Sequence, residues 1–403
     1  MPASTVSAPS RAPTLALFCK VVDNFGDIGI CWRLARQLHG EHGIAVTLWV
    51  DDLATFRRIC PEVDAGAASQ RVGGVLVRHW AGQDGSFTAA DVADTVIEFF
   101  AVDIPPAYIA AMAQCTPRPV WLNLEGMSAE AWVEGCHTLP STHPRLPLVK
   151  HFFFPGFTAQ TGGLLREAGL DAARRRFQTE PAARAAFLQG LGVPAAEQAA
   201  TVVSLFCYPH APVAALFDAW EQGTAALTCL VPQGVAPAAI EAFLQAAPVA
   251  GAVRTRGALT VRVIPFLPQP EYDKLLWACD LNLVRGEDSI VRAQWAGRPF
   301  VWHIYPQDEN LHHVKLRAFL QRFSPALEAA NEFNLRWNDA LETAPAHAGT
   351  AWADAWQSYR DTMPASAERA GQWEEQMAAH GDLASNLLRF AEAVRAANRS
   401  AQQ

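Results

Sequence analysis

The chain has 403 residues, of which 50% are hydrophobic, 10% aromatic and 18% charged. That composition suits a well-packed globular protein, and the length favours two domains over one. A formal charge of −8 argues against nucleic acid as the main partner. No window approaches roughly eighteen uninterrupted apolar residues, which argues against a transmembrane helix and a membrane partner.

The first twelve residues, "MPASTVSAPSRA", are small and polar and read as a flexible arm (1–12). "TLALFCKVV" follows without a cleavage-type segment, so it reads as a strand rather than as part of a signal peptide. Strand-length apolar runs then recur with helical patterns between them: "IAVTLWV" (44–50), "TVIEFF" (95–100) and "PVWLNLE" (119–125). Continuous apolar strands alternating with helices indicate a parallel sheet covered on both faces. A charged helical stretch, 165–200, interrupts the rhythm and ends in Gly/Pro punctuation. The alternation restarts with "TVVSLFCYP" (201–209), "ALTCLVP" (226–232), "LTVRVIPF" (259–266), "CDLNLVR" (279–285) and "PFVWHIY" (299–305). The last sixty residues are helical and carry tryptophans at 352, 356 and 373, with another just before them at 337.

This organisation predicts an α/β protein with two Rossmann-like domains facing across a cleft, and a helical C-terminal tail. The expected boundaries are 13–180 for the N-terminal domain, 181–200 for a linker and 201–365 for the C-terminal domain. Helices at 366–403 are expected to pack back on the N-terminal domain. The alternative is one large α/β domain with insertions. Eight cysteines lie singly with no CxxC pair, which indicates reduced, mostly buried thiols in a cytoplasmic protein.

Two corners carry candidate chemistry. In "CKVVDNFGDIGICWRLARQL" (19–38) a strand gives way to a helix expected from about Ile28, with Asp27 at or near its N-cap. Capping explains Asp27 as well as catalysis does, but it leaves Asp23 without a purpose. Gly26 and Gly29 would let a substrate approach the backbone. If this strand lies beside the cleft, the two aspartates suit a general base opposite an activated donor.

The second corner is "CDLNLVRGEDSIVRAQWAGRPFVWHIYPQDEN" (279–310). Asp288 or Ser289 is expected to cap a helix whose N-terminus receives a diphosphate, with Arg285 and Tyr305 beside it and Gly297 closing the helix. Glu287 would reach the ribose hydroxyls of a nucleotide. Phe206, Tyr208, Phe266, Gln269 and Tyr272 crowd the ends of nearby strands; such rings either fill a core or hold a nucleobase. The pattern is similar to the donor-binding lobe of GT-B glycosyltransferases. No GxGxxG follows the first strand and no P-loop occurs, which disfavours a dinucleotide enzyme or a P-loop NTPase. The histidines of "CYPH" (207–210), His303 and His312–His313 lack complete ligand spacing, so no metal is expected.

Taken together, "FCKVVDNFGDIGICWRLARQL", "LWVDD", "HFFFPGF", "IPFLPQPEYDKLLWACDLNLVRGEDS" and "RAQWAGRPFVWHIYPQ" resemble the EarP family of bacterial protein-arginine rhamnosyltransferases over nearly the whole chain. The resemblance implies a GT-B fold and inverting transfer of L-rhamnose from dTDP-β-L-rhamnose to an arginine of elongation factor P, without a cofactor or metal. By motif, Asp27 would be the base, Asp23 its acidic neighbour and Glu287 an essential residue of the donor lobe. Arg285, Asp288, Ser289 and Tyr305 would hold the diphosphate, and Phe206, Phe266 and Gln269 the thymine; Tyr208, Asn24, Phe25 and Gly26 are counted with the donor site. The competing readings are another GT-B sugar-nucleotide enzyme, such as a lipopolysaccharide glycosyltransferase or an epimerase, and a non-catalytic partner of elongation factor P.

Overall fold

The computed structural model describes residues 12–23, 25–80, 82, 85–339, 341 and 348–400. The chain divides into two compact units. The first holds the chain up to Gly126, Gly135–Pro155 and everything from Leu383; the second holds Met127–Glu134 and Gly156–Asp382.

The first unit is built on a sheet of β1 (Thr14–Cys19), β2 (Ala45–Val50), β3 (Ser69–Val72), β4 (Val75–His79), β5 (Thr95–Phe99), β6 (Val120–Leu124), β7 (Pro140–Thr142) and β8 (Val149–Phe153). Their order is β3-β4-β2-β1-β5-β6-β8-β7. The six inner strands are parallel, and β3 and β7 close the edges as antiparallel partners of β4 and β8. Central strand β1 is apolar throughout because it is covered on both faces: Leu17, Phe18 and Cys19 are fully buried. The helix Phe25–Gly40 turns Ile28, Cys31, Leu34, Ala35 and Leu38 inward, a spacing of three and four residues. Helix Leu383–Ser400 completes this unit, with the Phe390 ring 5.8 Å from that of Phe153 and Arg395 donating to Thr95 Oγ1 at 2.8 Å.

The second unit contains β9 (Thr201–Leu205), β10 (Leu227–Pro232), β11 (Val253–Arg256), β12 (Leu259–Ile264), β13 (Leu281–Arg285) and β14 (Phe300–His303), in the order β11-β12-β10-β9-β13-β14. Only β11 runs antiparallel to its neighbour. The helix Ala348–Ala378 belongs here and carries the buried tryptophans Trp352, Trp356 and Trp373. Of the region from 366 onward, the part that joins the first unit begins only at Leu383.

The stretch 181–200, read from its composition as a linker, is an integral part of the second unit. Helix Pro181–Gly190 buries Leu188 against Val202, Ile264 and Leu275, and Arg184 Nε donates to the Ala278 carbonyl at 2.7 Å. Glu197 forms a two-point ion pair with Arg262 of β12 at 2.8 and 3.0 Å. Its surface charges are paired to the neighbouring sheet, so polarity here marks a docked face rather than a tether. The chain passes into the second unit at Pro155–Gly156, earlier than the expected 180. Among the described residues no helix is long and apolar enough to cross a membrane.

The helices Gln269–Ala278 and Gly286–Ala296 are locked together by a buried arginine. Arg292 Nε and Nη2 contact both oxygens of Asp273 at 2.9 and 2.8 Å, and Nη1 reaches Glu167 Oε2 at 2.5 Å. Removing one member leaves an uncompensated charge inside the unit, at a cost of about 3–5 kcal/mol. Arg292→Leu is therefore expected to lower the unfolding free energy by about that amount, measured by urea denaturation of the full chain. A loss too small to resolve would show that the bridge does not hold the two helices.

Candidate functional site

In each sheet the chain works outward from the first strand on one side and then returns to build on the other. β1 is followed by β2 and β4, after which β5, β6 and β8 add on the opposite side; β9, β10 and β12 are likewise followed by β13 and β14. The connections leaving β1 and β5, or β9 and β13, therefore diverge and open a crevice at the carboxyl ends of the strands. Both sequence-predicted corners lie at these reversal points.

In the first unit, the backbone N–H groups of Val22 and Asp23 both donate to Asp27 Oδ2 at 2.7 Å, and that of Val21 donates to Asp51 Oδ1 at 2.8 Å. Three consecutive amides are thus gathered by two carboxylates. The helix begins at Phe25, not near Ile28, so Asp27 sits in its first turn and reaches back across the loop instead of occupying the cap. Its side chain is only 3% exposed. Burial raises its pKa above the ordinary aspartate value, the two amide hydrogen bonds pull it back, and Asp51 adds to the rise. Oδ1 makes no hydrogen bond among the described residues.

Asp23 lies over Gly26, whose N–H donates to the Asp23 carbonyl at 2.7 Å. A Cβ at Gly26 would stand 2.6 Å from Asp23 Oδ2, so only glycine leaves that carboxylate in place. The Arg58 guanidinium rests over the Phe25 ring at 4.8 Å. Asn24 lies outside the described residues. Across the reversal point, Phe100 and Ala101 follow β5 with φ of 57° and 51°. Non-glycine residues rarely adopt this left-handed backbone. Hydrogen bonds from Phe100 N–H to the Leu124 carbonyl and from Ala101 N–H to Asn123 Oδ1, both at 2.9 Å, hold it.

In the second unit, helix Gly286–Ala296 starts directly after β13. Asp288 and Ser289, expected as caps, are its third and fourth residues; Arg285 occupies the cap position and its side chain makes no capping bond. The turn is made by Gly286 at φ 65°, and its carbonyl accepts from Trp302 Nε1 at 2.9 Å. Arg285 then lies flat between two rings, its guanidinium carbon 4.5 Å from the Phe206 centroid and 4.9 Å from that of Tyr208. Nη1 donates to the Cys207 carbonyl at 3.0 Å. Tyr305, 37% exposed, meets the Tyr208 ring edge-on at 5.7 Å.

The other residues expected at a donor site lie near one another in the same unit. Gln269, the first residue of its helix, is buried, with Nε2 3.5 Å from Asp288 Oδ2. Phe206 stands 6.4 Å from Phe266 at 60° and 5.8 Å from Tyr272. The two phenylalanines are inclined rather than parallel, and Arg285 already covers Phe206. Glu287 accepts the Met127 N–H at 2.9 Å, which ties the segment Met127–Glu134 to the helix start. Nothing local in the sequence signalled this bond, since its partners are 160 residues apart. Asp51 was visible only as part of "LWVDD". Among the described residues no group of three or more His, Cys, Asp or Glu side chains could hold a metal ion.

These features have close counterparts in known proteins. A family profile described as "Elongation-Factor P (EF-P) rhamnosyltransferase EarP" matches residues 15–392. The chain is 48% identical to the protein-arginine rhamnosyltransferase of Pseudomonas putida over 384 residues, covering 94% of this chain and 98% of that one. It is 45% identical to the enzyme of that name from Pseudomonas aeruginosa over 380 residues, covering 93% and 97%. It is also similar to a solved structure described as the "structural basis for EarP-mediated arginine glycosylation of translation elongation factor EF-P". There the TM-score is 0.64 at 36% identity, over 94% of this chain and 99% of that chain. Two Rossmann-like α/β units with a helical C-terminal region make this a GT-B glycosyltransferase fold, and the chain belongs to the EarP family of EF-P rhamnosyltransferases.

Proposed function

We propose that the chain transfers L-rhamnose from dTDP-β-L-rhamnose to one arginine side chain of elongation factor P, with inversion at the anomeric carbon. The observation that carries this reading is the division of labour within Asp27. One oxygen is spent on two backbone amides, which leaves the other to meet a guanidinium N–H.

A guanidinium is fully protonated near neutral pH, so an aspartate cannot deprotonate it in advance. Asp27 instead pairs with the cation, orients one nitrogen, and accepts its proton as the new bond forms. Asp23, held over Gly26, provides the second negative charge that anchors the cation. The nitrogen attacks the anomeric carbon, the bond from that carbon to the diphosphate oxygen breaks, and dTDP leaves with the electron pair. A single displacement inverts the configuration. Arg285 and the amide end of the Gly286–Ala296 helix supply the positive field for the departing diphosphate. Ser289 and Tyr305 complete its hydrogen bonding. Phe266 and Gln269 face the base, with Phe206 as the platform beneath Arg285. These protein groups provide the leaving-group stabilisation, so the reading assigns no step to a metal.

Incubating elongation factor P with this chain and dTDP-rhamnose should add the mass of one deoxyhexose; changing the acceptor arginine to lysine should abolish the gain. An unchanged intact mass with fresh donor would sink the proposal. Asp27→Asn keeps an oxygen for the Val22 and Asp23 amides, so it should fold and bind donor while kcat falls roughly 10²–10⁴-fold, the usual range for a lost general base. Because the Asp27 pKa is raised, activity in the wild type should be present above that value and disappear as pH falls through it. The acidic limb of kcat/KM should accordingly lie above the ordinary 3.8. A limb at or below 3.8 would count against Asp27. Arg285→Ala should weaken donor binding about tenfold or more, the loss of one charge-assisted contact; unchanged calorimetric affinity would remove Arg285 from the site.

A further inference from the structure

Beside Arg285 lies a pair of histidines that the proposed reaction does not use. His303, the last residue of β14, is 1% exposed; His210 follows β9 and is exposed. Their Nε2 atoms are 3.1 Å apart. The Tyr208 backbone N–H donates to His303 Nδ1 at 3.2 Å. A neutral imidazole that accepts at Nδ1 carries its proton on Nε2, so His303 donates to His210 and His210 accepts. The Tyr208 ring is packed by the same pair: it lies parallel to His210 at 6° and 5.9 Å, and edge-on to His303 at 5.2 Å.

We propose that His210 and His303 are positioning residues of the donor site, a neutral hydrogen-bonded relay that fixes Tyr208 and through it Arg285. The proposal rests on the reading of Arg285 as the diphosphate-binding arginine.

Proton counting gives the relay its character. Two hydrogen bonds, Tyr208 to His303 and His303 to His210, use two protons and two lone pairs. A further proton on His210 Nε2 opposes the His303 Nε2–H. If His303 shifts its proton to Nδ1 to relieve this, that proton meets the Tyr208 N–H. Either way one link breaks, and the charge appears beside Arg285.

The groups around the pair act against protonation. His303 is packed against Trp337 of the following helical segment and sits near Arg285 and His312. Burial, with His210, Arg285 and His312 adding, takes its pKa down to about 3. His312 accepts the Gln307 N–H at Nδ1 and is itself lowered by burial and by His313. Tyr305 meets the Tyr208 ring edge-on. His210, lowered by burial, is the more exposed member and the first to protonate as pH falls. The link is therefore intact above the lowered His210 value and lost below it.

The test is calorimetric titration of the full chain with dTDP at pH 7.5 and at an acidic pH chosen below the His210 value, which is read from its NMR titration. His210→Gln keeps an acceptor for His303 without a titrating group; His210→Phe keeps a ring on Tyr208 without an acceptor. At pH 7.5, His210→Gln should match the wild type and His210→Phe should bind about fivefold more weakly, the loss of one net hydrogen bond. As pH is lowered through the His210 value the wild type should fall to the level of His210→Phe, with His210→Gln now the tightest binder. Ionisation of dTDP itself is common to all three and cancels in the ratios. In turnover, His210→Phe should raise the donor KM and leave kcat within twofold. Equal binding by His210→Phe and the wild type at both pH values, or an identical pH response in His210→Gln, overturns the relay. A wild type that does not bind dTDP at either pH overturns the donor reading itself and takes the relay with it.

Discussion

The second unit depends on the registration of two neighbouring helices, and that registration is set by one buried guanidinium. Asp273 and Arg292 each lie four residues beyond a residue proposed for the donor site: Gln269 on one helix, Asp288 on the other. Four residues is about one helical turn. The two-point contact one turn inside therefore places both N-termini side by side, and Gln269 and Asp288 meet there. A monodentate lysine would permit the helices to slide or rotate; the planar fork does not. Glu167 supplies the second negative charge that a cation so deeply buried requires. Burial alone would disfavour this cation, but its two carboxylates reverse the effect and raise its pKa.

Both units solve the same problem at their strand ends, with opposite polarity. A loop that leaves a parallel strand exposes backbone amides, and these must find acceptors. In the first unit, carboxylates provide them: Asp51 takes one amide and Asp27 two. The result is an acidic corner suited to a cationic acceptor. In the second unit a cation is placed at the helix start instead, with its guanidinium over the faces of Phe206 and Tyr208.

The layout of strands and helices was legible because most of the parallel strands are rich in apolar residues and bounded by polar turns, whereas β4 and β8, which carry Arg78, His79, Lys150 and His151, were not. The two corners were legible for the complementary reason that polar residues and glycines interrupt those runs. What periodicity missed has a common cause. The edge strands β3, β7 and β11 are short and partly exposed, and so lack a core signature. The two charged residues of 181–200, Arg184 and Glu197, meet partners up to 94 residues away, and local composition cannot separate a paired charge from a solvated one. Helix starts shifted by three residues for the same reason: Asp27 and Asp288 look like caps in sequence, yet each lies inside the first turn and finds a partner outside the helix. The histidines at 210 and 303 were set aside for lacking ligand spacing, and only the fold brings them within 3.1 Å.

The charge state of Asp27 explains why its carboxylate is shared in this way. In the proposed mechanism Asp27 is the base, and it must be ionised before the substrate arrives, because pairing with the guanidinium is how that nitrogen is oriented. It also gains proton affinity from burial, which brings it closer to the group whose proton it receives. Burial without compensation would protonate it and forfeit the first requirement. The two amides donating to Oδ2 oppose that outcome by favouring the charged form, and they do so from the side away from the reacting oxygen. Adding a third donor at Oδ1 would push the pKa back down and block the very atom that meets the nitrogen. Two amides on one oxygen and none on the other is thus the arrangement that keeps a buried aspartate both charged and basic.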